Sequence, residues 1–217
     1  TMYLLSQGRS FTNIRPHSSR SQANYLQGGA ITLALTHNIS LSAFASYRKN
    51  DATLNSDGSI RTLLKTGYHR TTVELEKKNN YSTTAFGSNV QWHRNGFQLG
   101  LTALYSQFSR PLCPNTEQKY RTDYPQGYNF WNVGANYGYI NSRWNVNGES
   151  AMSGNGAFAT LNSASFQASK QVAITAIQRY YSAKYWALNG NAFSEGGQTR
   201  NEMGLLLGLA WTINRFL

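Results

Sequence analysis

The sequence predicts an all-β protein: an antiparallel, up-and-down transmembrane β-barrel of about ten strands with one short loop helix. Three observations predict it. Apolar and polar residues alternate with period two along most of the chain, which sorts them onto opposite faces of a sheet. Most alternating segments run about 10–13 residues, against roughly five or six in soluble sheets and about 9–11 in a bilayer. Short and long connections take turns between them, the layout that puts tight turns at one end of an outer-membrane barrel and long loops at the other.

Taken in order, the segments are 2–8, 25–36, 39–48, 81–93, 97–108, 128–140, 143–152, 157–169, 172–181 and 201–213. Ile31, Leu33 and Leu35 alternate with Ala30, Thr32 and Ala34. Past His37-Asn38, Ile39, Leu41 and Ala43 alternate with Ser40 and Ser42. Val90 and Trp92 lead into Arg94-Asn95-Gly96, after which Phe97, Leu99, Leu101, Ala103 and Tyr105 keep one phase. Trp131, Val133, Ala135, Tyr137 and Tyr139 do the same, then Trp144 and Val146, then Val172, Ile174 and Ala176. Met203, Leu205, Leu207, Leu209, Trp211 and Ile213 close the series. Short turns fall at His37-Asn38, Arg94 to Gly96, Asn141-Ser142 and Ser169 to Gln171. Long connections fall at 49–80, 109–127 and 182–200, and the short Ser153 to Gly156 link shares their end. Within 49–80, Thr71-Thr72-Val73-Glu74 reads as a capping box and places a helix near 72–78, either solvated or folded into the lumen.

Composition decides which face meets water. Charged residues are 13% of the 217, with 20 Lys and Arg against 9 Asp and Glu, a net charge of +11; a soluble domain carries about 25% charged residues. The polar phase of the strands is Asn, Ser, Thr, Gln and Gly rather than Lys and Glu. The apolar phase is therefore expected to face lipid and the uncharged phase to line the interior. Phe97, Tyr105, Trp131, Tyr139, Trp144 and Trp211 fall near strand ends, where aromatic girdles form. The longest apolar run, Met203 to Trp211, has nine residues with two glycines, far short of the roughly 20 that a spanning helix needs. Thr1 to Leu5 lacks the features of a signal peptide, so any export signal is expected outside these residues.

Candidate functional residues are few. Arg48, Glu149, Arg179 and Glu202 occupy the inner phase or its rim and form a candidate set of lumen charges, either a static salt-bridged network or a selectivity device. The other cations gather in connections, among them Arg9, Arg15, Arg20, Arg61, Lys65, Lys119, Arg121, Lys184 and Arg200. Such loops suit solvent, nucleic-acid phosphate or anionic lipid headgroups; no nucleic-acid-binding signature accompanies them. His17, His37, His69 and His93 show no metal-ligand spacing. One cysteine, Cys113, excludes an internal disulfide. No G-x-S-x-G motif is present, which weakens a barrel-hydrolase reading. No catalytic, metal or cofactor residue is expected.

Several segments carry a resemblance. They are Leu63 to Thr71 with Glu74 to Lys78, Gly96 to Gly100 with Ala103-Leu104-Tyr105, Phe130-Trp131-Asn132, Gly148-Glu149 with Gly156 to Ser163, Gln178 to Tyr181, and Phe193 to Gly197 with Asn201-Glu202. Over roughly residues 60 to 212 the chain resembles Bacteroidota outer-membrane barrel proteins in which a helix-hairpin-helix region similar to ComEA precedes the barrel. The resemblance implies a Gram-negative outer-membrane location, contact with bilayer and lipopolysaccharide, and a link to DNA handling through the helix-hairpin-helix part. That part is not among these residues, so nucleic-acid binding does not carry over; no catalytic residue does either. Phe216 is out of phase with Leu209, Trp211 and Ile213, which suggests a slice of a larger barrel completed by further strands or subunits. The functional expectation is a non-enzymatic outer-membrane pore, translocation element or scaffold over residues 1–217. A loop-mediated binding or adhesion module is the alternative.

Overall fold

The computed structural model describes residues 25–117, 121–188, 190, 192–194 and 199–212. The expected strand 2–8, His17, Arg9, Arg15, Arg20, Lys119, Glu195 to Gly197, and Ile213 through Leu217 lie outside the described residues.

Eleven strands and one short helix form among the described residues. The strands are β1 (Gly28–Thr36), β2 (Ile39–Asn50), β3 (Ala52–Leu54), β4 (Ile60–Leu63), β5 (Tyr81–Arg94), β6 (Phe97–Leu112), β7 (Gly127–Ile140), β8 (Trp144–Ser153), β9 (Phe158–Gln167), β10 (Val172–Tyr181) and β11 (Glu202–Trp211); helix α1 is Thr72–Glu76. Nine of them make one antiparallel meander in the order β1-β2-β5-β6-β7-β8-β9-β10-β11. The sheet is not closed among the described residues: β1 pairs only with β2 and β11 only with β10.

The nine long strands lie where period-two alternation puts them, within a few residues at each end. The expected loop at 49–80 is more structured than its sequence suggests, because it holds the β3–β4 hairpin as well as α1. Hairpin β3–β4 stands off the main path and meets β6 through a parallel bridge, Ile60 to Leu112. That bridge, with the Cys113 N–H donating to the Ile60 carbonyl at 2.8 Å, carries β6 four residues past its expected end. Helix α1 stops at Glu76, short of residue 78.

Turn chemistry fixes the register. Asn95 and Gly96 both have positive φ, 50° and 81°, as a two-residue Asn-Gly hairpin turn requires. At Asn141 the side-chain oxygen accepts the N–H groups of Arg143 and Trp144 at 2.8 and 2.7 Å, and Ser169 Oγ takes those of Gln171 and Val172 at 3.2 Å. Such side-chain acceptors substitute for a missing backbone partner. All four tight turns lie at one end of the sheet, and the long connections lie at the other.

The two faces of the meander differ in kind. Register places Ile31, Leu33, Leu41, Val90, Leu99, Leu101, Val133, Leu205, Leu207 and Leu209 on one face, and all but Leu41 are among the exposed large hydrophobics. Ser42, Ser46, Thr83, Ser106, Thr175 and Arg179 occupy the other face and are buried. Oily side chains point out of the sheet while hydroxyls and amides are sheltered. Among the described residues, two hydrophobic core clusters lie at the loop end of the sheltered face. One cluster joins Ala52, Ile60, Tyr81, Phe108 and Leu112, with Phe130, Trp186 and Leu188 packed against it. A second joins Ala157, Ala159, Tyr181 and Tyr185.

Candidate functional site

The six expected girdle residues all fall on the exposed apolar face, in two rows. Phe97 pairs with Tyr139, ring centroids 4.4 Å apart, and Trp144 stacks on Phe166 at 4.5 Å; with Trp211 these form the row at the turn end. Tyr105 and Trp131 are paired in the row at the loop end. The spacing repeats: Phe97 to Tyr105, Trp131 to Tyr139, Phe158 to Phe166 and Met203 to Trp211 are each eight residues. Eight residues span about 27 Å along a strand, about 20 Å once tilted by ~40°. The hydroxyl of Tyr139 accepts from Asn141 in the turn at 3.0 Å, and that of Tyr105 donates to Asn129 at 2.9 Å. Each ring thus lies in the apolar band with its polar tip tied to a neighbouring amide.

A polar row interrupts this face. Tyr137, Gly148, Asn162 and Gln178 are consecutive register partners across β7 to β10. The Tyr137 ring crosses Gly148, its hydroxyl donates to Asn162, and the Asn162 amide donates to Gln178 at 2.7 Å. Period-two reading places Tyr137 on the apolar face but misses its polar partners there. A Cβ at position 148 would come 2.2 Å from the Tyr137 ring. Gly148→Ala is therefore expected to push the ring aside, strand the Asn162 and Gln178 amides, and lower stability by about 1–3 kcal/mol. Chemical denaturation of the two proteins side by side measures it.

Of the four candidate lumen charges, the structure brings two together. Arg179 Nε and Glu202 Oε1 meet at 2.6 Å, both nearly buried, and link β10 to β11. The guanidinium also lies over the Phe193 ring at 4.9 Å. Arg48 is on β2 near the opposite edge, over the Tyr25 ring at 3.8 Å and donating to the Tyr25 carbonyl at 3.2 Å. Glu149 is exposed on β8. Its charge reaches Tyr185 in the connection after β10, whose hydroxyl is pushed up in pKa mainly by burial and further by Glu149. Arg179 and Glu202 are thus brought together, while Arg48 and Glu149 lie on strands separated by β5, β6 and β7.

At the loop end the connections fold over the sheltered face. The 51–80 segment is stapled by Asp51, whose Oδ1 accepts the Asn79 N–H at 2.9 Å and whose Oδ2 meets His69 Nε2 at 2.7 Å. Thr71 caps α1 by accepting the Glu74 N–H at 3.3 Å. The Glu74 carboxylate accepts the N–H of Arg70 at 2.7 Å, one residue before the partner a capping box assigns. In the hairpin, Asp57 accepts from the Ser59 hydroxyl at 2.6 Å and its N–H at 2.9 Å. These bonds hold both carboxyls below their ordinary range: the Arg70 N–H chiefly for Glu74, the Ser59 hydroxyl chiefly for Asp57. A depressed carboxyl supports the fold at pH above its unfolded value and loses that support as pH falls through its folded value. Acidification is thus expected to loosen the hairpin and α1 before the long strands, seen as faster amide exchange at Ser59 and Glu74.

The 182–194 segment is held down by amides and carbonyls. Asn132 donates to the Trp186 carbonyl at 2.8 Å, Asn155 to that of Lys184 at 2.7 Å, and the Tyr181 hydroxyl to that of Phe193 at 2.7 Å. Trp186 stacks on Phe130 at 4.7 Å. Between this segment, β4 and the 113–126 connection lies a cavity of about 410 Å³. Arg61, Lys65, Arg121 and Arg200 line it, with Tyr124, Tyr185 and Trp186; no Asp or Glu does so among the described residues. The sequence shows these four cations only as scattered loop charge. Nothing in their spacing, spread from 61 to 200, signals that they meet.

No family model, no curated protein and no solved structure matches this chain.

Proposed function

We propose that the chain forms a non-enzymatic wall of an outer-membrane β-barrel, a translocation or scaffold element whose loop end is capped by its own connections. The observation that carries the reading is the inverted sheet. Leu101 and Leu207 are 67% and 70% exposed while Ser42 and Thr175 on the other face are buried. An apolar surface of that extent is costly in water and is what hydrocarbon requires. The aromatic rows, about 20 Å apart along the membrane normal, approach the borders of the roughly 25 Å apolar band of such barrels. Lipid and lipopolysaccharide are then the partners of the outer face. The free edges of β1 and β11 would need pairing with each other or with further strands, because unpaired backbone groups cost several kcal/mol each in lipid. The strand length, connection layout and resemblance described above point the same way.

The experiment is gel migration with and without heating of detergent-folded protein, alongside sedimentation without detergent. A heat-dependent shift and aggregation without detergent are expected. A monodisperse detergent-free monomer overturns the reading. A second reading, a binding module built from the loops, is favoured by the basic cavity.

A further inference from the structure

We propose that the exposed apolar face of β8, β9 and β10 docks a second copy of this chain within the membrane, through the polar row that contains Asn162 and Gln178. The inference rests on the membrane reading and goes beyond it. Among the described residues, Asn162 and Gln178 are the two amide side chains that this face carries between its aromatic rows. Asn162 is four residues from both Phe158 and Phe166, at the middle of the apolar band. Both N–H groups of its amide are used, one on Gln178 at 2.7 Å and one on the Thr160 hydroxyl at 3.1 Å, and its carbonyl accepts from Tyr137. Thr160 in turn shares a hydrogen bond with Ser150 at 3.0 Å. Gln178 ends the row. Its carbonyl takes one bond from Asn162, and neither of its own N–H groups has an acceptor among the described residues. Lipid chains supply no acceptor at this depth, and an unmatched N–H there costs free energy.

Self-complementarity selects a second copy as the occupant. A primary amide carries two donors and an oxygen with two acceptor sites, so Gln178 offers two donors and one open acceptor site. Copies inserted the same way up are related by a two-fold axis along the membrane normal, which brings each residue against its own depth. Gln178 of one copy then donates to Gln178 of the other and accepts in return. The hydroxyls of Thr160 and Ser150 add further acceptors at the same face. Shape agrees with chemistry. The positions around the row are Gly148, Ser150, Ala164 and Ala176, whereas β6 and β11 present exposed Leu101 and Leu207 at matching depth. Small residues permit close approach where membrane segments pack, and polar side chains then join them.

The test labels the full chain at Cys113, its one cysteine, with a donor or an acceptor dye and mixes the two pools in detergent micelles and in lipid vesicles. Energy transfer that falls as detergent or lipid dilutes the chain is expected. Q178L, which replaces the unmatched amide by an apolar side chain of similar size, is expected to raise the dissociation constant tenfold or more while keeping the heat-dependent gel shift. In a C113S background, A176C is expected to form an intermolecular disulfide under copper phenanthroline, and L101C, at the same depth on β6, to form at least tenfold less. This cysteine comparison decides the matter even if Q178L does not fold. No energy transfer at any dilution, an unchanged constant in folded Q178L, or equal cross-linking at the two cysteines overturns the proposal. A monomer that needs detergent and shifts on heating keeps the membrane wall and discards the interface; a dimer joined at A176C in detergent-free buffer does the reverse.

Discussion

Arginine in place of Leu101 is expected to destabilise the protein by about 2–4 kcal/mol in a bilayer or micelle, and arginine in place of Met203 by no more than about 1 kcal/mol. Both residues lie on the same face and both are highly exposed, Met203 more so. They differ in position. Leu101 is midway between Phe97 and Tyr105, whereas Met203 sits at the loop-end row, eight residues from Trp211. If the face meets hydrocarbon, the cost of a charge depends on depth, because a long side chain near the border can reach water and one at the middle cannot. If the face met water, both substitutions would fall within about 0.5 kcal/mol of the parent. Equal effects at the two positions, read from denaturant titrations, would remove the lipid-facing assignment. Leu207, midway between Met203 and Trp211, repeats the test on β11 and should behave as Leu101 does.

Phe108→Ala is expected to cost about 3–5 kcal/mol, the range for a buried phenylalanine. Phe108 is 2% exposed. It meets Tyr81 edge-on with ring centroids 5.4 Å apart and Phe130 at 5.0 Å, and Phe130 in turn carries Trp186. The loss should be local in its expression. Removing the ring undercuts the seat of both the β3–β4 hairpin and the 182–194 segment, while the ladders between long strands keep their hydrogen bonds. Trypsin is therefore expected to cut sooner after Lys65 and Lys184, with the β6–β7 amides still protected from exchange. A variant with parental cleavage rates would show that the cluster is not what holds the connections down.

Much of the architecture was readable because two periods are hard to confuse. A strand of ten or more residues gives five or more alternations, and Asn95-Gly96 or Ser169 marks its ends. The β3–β4 hairpin escaped because Ala52–Leu54 and Ile60–Leu63 are too short to show a period. The usable signal was Asp57-Gly58 between Leu54 and Ile60, a strong hairpin dipeptide in a segment otherwise rich in polar residues. Thr71 was readable as a cap since its partner is three residues away; the diversion of Glu74 to Arg70 depends on how the preceding turn runs. Strand phase put Arg48, Glu149, Arg179 and Glu202 on one face, and the structure brings Arg179 and Glu202 of these together. Phase along a strand gives a side, and only the register between distant strands gives a neighbour. Arg179 finds Glu202 on the adjoining strand, whereas Arg48 and Glu149 belong to strands separated by β5, β6 and β7. The basic cavity was unreadable for the same reason.

The long strands all pair with a sequence neighbour or across the 51–80 insertion, so each can zip as a hairpin. The connections above them are different: Asn132 reaches Trp186 across 54 positions and Lys65 reaches Leu188 across 123. Bonds of that separation repay their loop-closure cost only once the intervening chain is already organised. Assembly thus acquires a direction, with the hairpin stack first and the covering segments as the late step. A folding intermediate arrested between them would display Trp186 to solvent and expose both core clusters to capture by chaperones.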